Sequence, residues 1–177
     1  MSAPTGKTVE WIEEAIRENI VWIELFEKGK ISPADFWAEI QAVIRSELSY
    51  EEFFAAYCDV FSLNRPVAAF LKSLSSKYKM VLMSNTDIMR FSFIKSRFPE
   101  ILFFHAYALS FDFGFAKPDP SLYRAALETA GAKAENTVFI DDLRENIAGA
   151  ENAGIRGILF GPETDLRAEL RNFSVSV

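Results

Sequence analysis

Residues 137–147, Thr-Val-Phe-Ile-Asp-Asp-Leu-Arg-Glu-Asn-Ile, decide the fold. Thr137–Ile140 is a short run of β-branched and aromatic side chains, the composition of a buried strand, and it stops at the carboxylates Asp141 and Asp142. Residues 143–153 then read as a helix, and Gly154 is suited to cap it in the left-handed conformation. A strand that delivers acids to its carboxyl end and runs into a helix is a unit of an open α/β sheet. Such sheets bind ligands beyond the carboxyl ends of their strands.

The same alternation extends outward. Downstream, Gly157–Phe160 is a second short apolar run, and 163–172 predicts a last helix. Upstream, Asp119-Pro120 opens a helix through Leu122, Tyr123, Ala126 and Leu127 that Gly131 closes. Before it lie two more strand-like runs, Ile101–Leu109 and Lys79–Met83. Strands alternating with helices predict βαβ units and a largely parallel sheet.

The first half is of another kind. Ile12, Ile16, Ile20 and Ile23 recur at helical spacing within 8–28, with Trp11, Trp22 and Phe26 beside them, and Gly29 ends that helix. Ser32-Pro33-Ala34-Asp35 starts a helix carrying Phe36, Ile40, Val43 and Ile44 on one face. Ser49-Tyr50-Glu51-Glu52 is a capping box that opens a third, through Phe53, Phe54 and Tyr57. Pro66 starts a fourth, with Val67, Phe70, Leu71 and Leu74 turned inward. The expected organisation is a helical unit over 1–65 and an α/β unit over 66–177.

Composition narrows the function. Half of the 177 residues are hydrophobic and 25 % are charged, which suits a packed domain rather than a disordered chain. A net charge of −6 argues against nucleic acid and anionic membranes as partners. It leaves room for a small phosphorylated metabolite at a local cationic site. Cys58 is the single cysteine, so no intrachain disulfide forms; without a secretory leader pattern at the start, that predicts the reducing cytoplasm. Its aromatic neighbours predict a buried structural thiol. His105 is the single histidine and reads as a strand residue, so a Ser-His-Asp triad has no second histidine to draw on.

Three segments could carry chemistry. Ser84-Asn85-Thr86 follows the Lys79–Met83 run; it reads either as a helix cap for the segment from Ile88 or as a phosphate cradle of hydroxyl and N–H groups. Lys117, in Ala116-Lys117-Pro118-Asp119-Pro120, reads either as a solvated loop residue or as a fixed ammonium facing an anion. Asp141-Asp142 would repel each other without a cation; the pair reads either as one helix cap plus one solvated acid or as a site for Mg²⁺, which takes a few carboxylates plus water and phosphate oxygens. Asn146, one turn on, could orient the acids or complete that shell.

In order and spacing these segments resemble the second, third and fourth motifs of the haloacid dehalogenase superfamily, over roughly residues 20–165. The run from Phe139 to Ile147 is similar to the branch of sugar-phosphate phosphatases and of the phosphatase domain of soluble epoxide hydrolases. Phe26-Glu27-Lys28-Gly29-Lys30-Ile31-Ser32 resembles that branch's helical cap. The resemblance implies a Rossmann-like α/β core with an N-terminal helical cap and Mg²⁺-dependent hydrolysis of phosphomonoesters. Ser84 and Asn85 would bind the phosphoryl group, Lys117 would hold nucleophile and phosphate together, and Asp141 and Asp142 would hold the metal, Asp142 the more directly. The cap would select the substrate, and its aromatic surface could serve a homodimer.

One departure matters. The family's first motif is a strand ending in Asp-x-Asp, whose first acid attacks phosphorus. No Asp-x-Asp occurs in this sequence, and nothing strand-like precedes the cap helices. By the resemblance, the absent strand would lie mid-sheet, between the strands that end at Ser84 and Asp141. Two substitutes are expectations: the flanking strands pair directly, or the alternating Phe173-Ser174-Val175-Ser176-Val177 fills a sheet position. Two functions stay open. One is a phosphatase whose start lies upstream of Met1; the other is a non-catalytic relic that binds phosphate, metal or a second copy. A dehalogenase fits the acid pair poorly, a receiver domain has its acids in the wrong strand, and a dinucleotide fold lacks G-x-G-x-x-G.

Overall fold

The computed structural model describes residues 20–44 and 49–177. The expected helical start from residue 8, with Trp11, Ile12 and Ile16, lies outside them. Three helices, α1 (Ile20–Glu27), α2 (Pro33–Ile44) and α3 (Tyr50–Cys58), form the cap. Their starts follow the predicted caps. The Ser32 hydroxyl accepts the Asp35 N–H at 3.1 Å. Ser49 and Glu52 close the capping box with N–H···O distances of 3.2 and 2.8 Å. Phe26, Phe36, Ile40, Phe53 and Cys58 bury against one another, and Met89 joins them from the core. The rings of Phe26 and Phe36 stack at 4.3 Å, those of Trp37 and Phe53 at 4.5 Å. Cys58 is fully buried, as expected of a structural thiol, and burial pushes the thiol up to about 11.

Gly29 ties cap to core. It sits at φ +61°, and a Cβ there would come within 2.2 Å of the Phe111 carbonyl oxygen, so only glycine allows the two backbones to meet.

The core runs α4 (Arg65–Leu74), β1 (Val81–Ser84), α5 (Ile88–Arg97), β2 (Ala106–Leu109), α6 (Ser110–Phe113), α7 (Pro120–Ala130), β3 (Val138–Asp141), α8 (Arg144–Asn152), β4 (Arg156–Leu159) and α9 (Leu166–Asn172). β1 pairs with β2 and β3 with β4, both in parallel. α7 packs on β1 and β2, α8 on β3 and β4, and the two helices touch, so one helical layer spans both pairs. Beneath it Tyr123, Ala150 and Ile155 enclose Met83 of β1 and Phe139 of β3.

The strands depart from expectation in three places. The run Ile101–Leu109 is strand only from Ala106; Pro99 starts a 3₁₀ turn that ends at Ile101, and the rings of Phe103 and Phe104 stack at 4.4 Å in the connection. Direct pairing of β1 with β3 is not seen: among the described residues, each strand is bonded only to its outer neighbour. The C-terminal alternation is not a strand either. Ser174 adopts φ +62°, Val175 and Val177 pack onto the cluster around Phe70, Leu74 and Ile158, and the Ser176 N–H donates to the Tyr78 hydroxyl at 2.8 Å. A five-residue alternation records which side chains face an apolar surface, and a turned terminal segment satisfies that as well as a strand does. All of β1 and the first three residues of β3 are therefore only half-buried, as unpaired edges are.

Candidate functional site

The carboxyl ends of β1 and β3 converge on Lys117. Its Nζ lies 2.7 Å from Asp141 Oδ2 and 3.4 Å from the Met83 carbonyl oxygen. One ammonium thus touches both strands across their unpaired edges. Its position is fixed by Asn85, which follows β1: the Lys117 N–H donates to Asn85 Oδ1 at 2.7 Å, and Asn85 Nδ2 donates to the Lys117 carbonyl at 2.9 Å. Gly149 lets α8 approach this loop, since a Cβ there would stand 3.0 Å from the Pro118 carbonyl oxygen and 2.8 Å from the Tyr123 hydroxyl.

Asp141 is the buried anion of the site. Besides Lys117 it accepts the Leu143 N–H at 2.9 Å and the Asn146 side-chain amide at 2.8 Å, both on Oδ1. Burial alone would raise its pKa. The Lys117 ammonium, the Leu143 N–H and the Asn146 amide outweigh that and hold the carboxyl below the usual range. Asn146 is itself buried, and its carbonyl accepts from the Tyr123 hydroxyl at 2.7 Å. Asp142 is exposed beside it. Ser84, at the last position of β1, keeps its hydroxyl largely free, with a 3.5 Å contact to the Asn85 carbonyl.

The structure therefore brings Ser84, Asn85, Lys117, Asp141, Asp142 and Asn146 to one end of the sheet. It divides their work differently from their sequence reading. Asn85 holds the loop through both ends of its amide. The cap of the helix after β1 is Asp87, which accepts the N–H groups of Met89 and Arg90, so the Ser84-Asn85-Thr86 segment is free of that duty. His105 pairs with the β1 lead-in instead of any site: its Nδ1 accepts the Met80 N–H at 3.0 Å.

Several contributors had no local signal. The Ser110 hydroxyl is fully buried and bridges the backbone N–H and carbonyl of Thr86, both at 2.9 Å, holding the turn after β1. Asp87 is fully buried too, and accepts the Tyr57 hydroxyl of the cap at 2.8 Å. Arg90 reaches from α5 to Glu27 Oε1 at 3.3 Å and lies 4.0 Å over the Tyr57 ring. Burial, with the Asp87 carboxylate adding to it, drives the Tyr57 phenol far above its ordinary pKa. Burial also raises Glu27, against the pull of Arg90. These contacts join residues up to 63 positions apart, beyond the reach of any motif.

A cleft of about 470 Å³ adjoins the site, between the end of α1 and the loop 114–119. Among the described residues no group of three or more His, Cys, Asp or Glu side chains could hold a metal. The donor set near Lys117 is the Asp141-Asp142 pair. That fits Mg²⁺, which is satisfied by one or two carboxylates with water and phosphate oxygens, and fits poorly an all-protein cage. No helix among the described residues is long and apolar enough to cross a membrane.

An α/β core whose strand tips present a hydroxyl, an ammonium and paired acids beneath a helical cap is the architecture of haloacid dehalogenase-type hydrolases. Residues 5–154 match the haloacid dehalogenase-like hydrolase family, and the chain belongs to it. It is similar to a sesquiterpene phosphatase of Aspergillus oryzae, 29 % identical over 139 residues that cover 76 % of this chain and 70 % of that protein. With a drimenol cyclase of Aspergillus calidoustus it shares 32 % identity over 59 residues, 33 % of this chain but only 11 % of the cyclase. Among solved structures, a HAD family enzyme of Bacteroides thetaiotaomicron superposes with a TM-score of 0.80 at 26 % identity, covering 93 % of this chain and 91 % of that one. An aspartate-to-alanine variant of that enzyme, in complex with magnesium and inorganic phosphate, gives a TM-score of 0.78 at 25 % identity over 92 % and 89 % of the two chains.

Proposed function

We propose that the chain supplies the phosphate- and Mg²⁺-binding half of a phosphomonoester phosphatase site, and that by itself it binds without turning over. The observation that carries this is the Lys117 ammonium, held 2.7 Å from the Asp141 carboxylate at the ends of two unpaired strand edges. A cation fixed there by its own loop, with a free serine hydroxyl on one strand and a second acid on the other, suits a tetrahedral anion and a divalent cation together.

In this reading the Ser84 hydroxyl donates to a phosphoryl oxygen, and Lys117 neutralises a second. Asn85 positions Lys117 through the loop backbone, and Asn146 orients Asp141. Asp142, whose carboxylate is open to solvent, would hold Mg²⁺ with Asp141. Mg²⁺, if held by Asp141 and Asp142, would supply positive charge to the nonbridging phosphoryl oxygens. The magnesium and phosphate complexes of the Bacteroides relative support the metal and the anion. The phosphatase of Aspergillus oryzae supports the reaction class. The buried Cys58 is compatible with a reducing cytoplasm, and the ligand is a small phosphorylated metabolite.

Turnover needs an attacking group. Among the described residues, Asp141 is the sole carboxylate in contact with Lys117, and it is committed to Leu143 and Asn146 as well. Calorimetric titration with inorganic phosphate should show binding that Mg²⁺ strengthens, while an aryl phosphate with Mg²⁺ should give no hydrolysis above buffer. Hydrolysis that Lys117→Ala abolishes would show a complete active site; absence of phosphate binding would remove the reading altogether.

A further inference from the structure

β1 and β3 both point their carboxyl ends at Lys117, yet among the described residues they share no backbone hydrogen bond. The inner edge of β3 can be followed residue by residue. The Phe160 N–H donates to the Asp141 carbonyl at 2.8 Å, so Asp141 turns its backbone toward β4. Successive residues of a parallel strand bond to opposite neighbours, so Phe139 faces β4 with Asp141, while Val138 and Ile140 turn N–H and C=O inward. Neither finds a backbone partner there among the described residues.

Both faces beside this open edge are apolar. On one, Tyr123, Ala150 and Ile155 enclose Met83 of β1 and Phe139 of β3. On the other, Val138 and Ile140 pack against the cluster around Phe70, Leu74 and Ile158. A row of backbone donors and acceptors between two apolar layers suits an extended backbone, which satisfies both at once. A strand covered on both faces is apolar on both. The ends of the gap carry opposite charges: exposed Lys79 precedes β1, and exposed Asp142 follows β3.

We infer that the gap between β1 and β3 is a docking site for a strand of a different polypeptide. The docked segment is extended, runs parallel to β1 and β3, and matches their length with four apolar residues. An acid precedes that run, to meet Lys79, and a base follows it, to meet Asp142. Its backbone bonds to Val138 and Ile140 on one side and to the inner edge of β1 on the other. This inference stands on backbone geometry and charge and does not depend on the phosphate reading.

Amide hydrogen exchange, followed by NMR on the whole chain without Mg²⁺ or phosphate, tests this. In the free protein Val138 and Ile140 should exchange about tenfold or more faster than Phe139 and Asp141, whose N–H groups bond to β4. The blocked peptide acetyl-Glu-Val-Val-Phe-Val-Lys-amide, at about ten times its dissociation constant, should slow Val138 and Ile140 about tenfold. The same peptide methylated at alternate backbone nitrogens should slow neither, because it cannot complete the ladder. With its Glu and Lys exchanged, it should bind about threefold more weakly at low salt. Val138 and Ile140 as slow as their neighbours in the free protein would show the edge already covered and overturn the inference. So would no slowing at the peptide's solubility limit, or equal effects from the methylated or the exchanged peptide. Slowing that follows the concentration of the chain alone would make the occupant a second copy, and would overturn it as well.

Discussion

In the cap, Phe36 and Cys58 are fully buried and Phe26 nearly so, inside a cluster of stacked rings. In the sheet, all of β1 and the first three residues of β3 keep part of their surface in solvent, and among the described residues the two strands are bridged by Lys117 and by the helices above them. The cap is held by apolar packing between helices that lie within forty positions of one another. The inner edges of the sheet are held by a polar clamp between residues that the chain brings together from two strand ends and the loop 114–119. The difference places a tightly packed apolar cluster where no chemistry is expected, and leaves the site on the part of the molecule with unpaired backbone.

Truncation in the two regions tests that contrast most strongly. Phe36→Ala should cost about 3–5 kcal/mol in urea unfolding, the usual loss for a fully buried ring. Leu82→Ala, in half-buried β1, should cost about 1–2 kcal/mol, because the side chain gives up less buried surface. Equal losses would show that β1 is covered after all.

Lys117→Met comes next. It leaves Asp141 buried without its cation, at a cost of about 3 kcal/mol near neutral pH. The sign with pH follows from the direction of the Asp141 shift. In the native chain its carboxyl is held below the usual range, so its contribution to stability is present above that range and is lost as pH falls through the depressed value. In Lys117→Met the carboxyl loses the ammonium that most strongly opposes the effect of burial, and it takes up a proton at higher pH than in the native chain. The stability gap between the two proteins should therefore shrink as pH falls through the carboxylate range. A gap independent of pH would mean that the lysine and the acid are not coupled.

A smaller effect probes the seam between the regions. Tyr57→Phe removes a hydroxyl that donates to the buried Asp87 at 2.8 Å, and should lower stability by about 1.5–3 kcal/mol in thermal unfolding. The smallest is Asp142→Asn, which alters an exposed side chain and should change metal-free stability by less than about 0.5 kcal/mol. It should nonetheless abolish the rise in stability expected from Mg²⁺ at the proposed site.

What could be read in the residue order is the part that depends on neighbours in the chain. The capping box at Ser49, the start at Ser32, the parallel alternation and the polar strand ends are all local patterns, and the structure forms them. The clamp of Asn85 on the Lys117 backbone, the Ser110 bridge and the Arg90 contacts with Glu27 and Tyr57 depend on distant segments meeting. Asn85 was legible as polar and near the site; that it grips a loop 32 residues away was not. The alternation of Phe173–Val177 misled for the converse reason: it reports burial of Val175 and Val177 correctly but carries no information on pairing.

A phosphate and a divalent cation are proposed to lie side by side at Lys117 and the acid pair. Mn²⁺ in place of Mg²⁺ reads this directly, through the paramagnetic broadening of the phosphorus resonance of inorganic phosphate in the presence of the protein. Broadening well beyond that of phosphate and Mn²⁺ alone is expected, lost in both Lys117→Met and Asp142→Asn. A resonance that the protein leaves unchanged, or broadening that survives both substitutions, would contradict it.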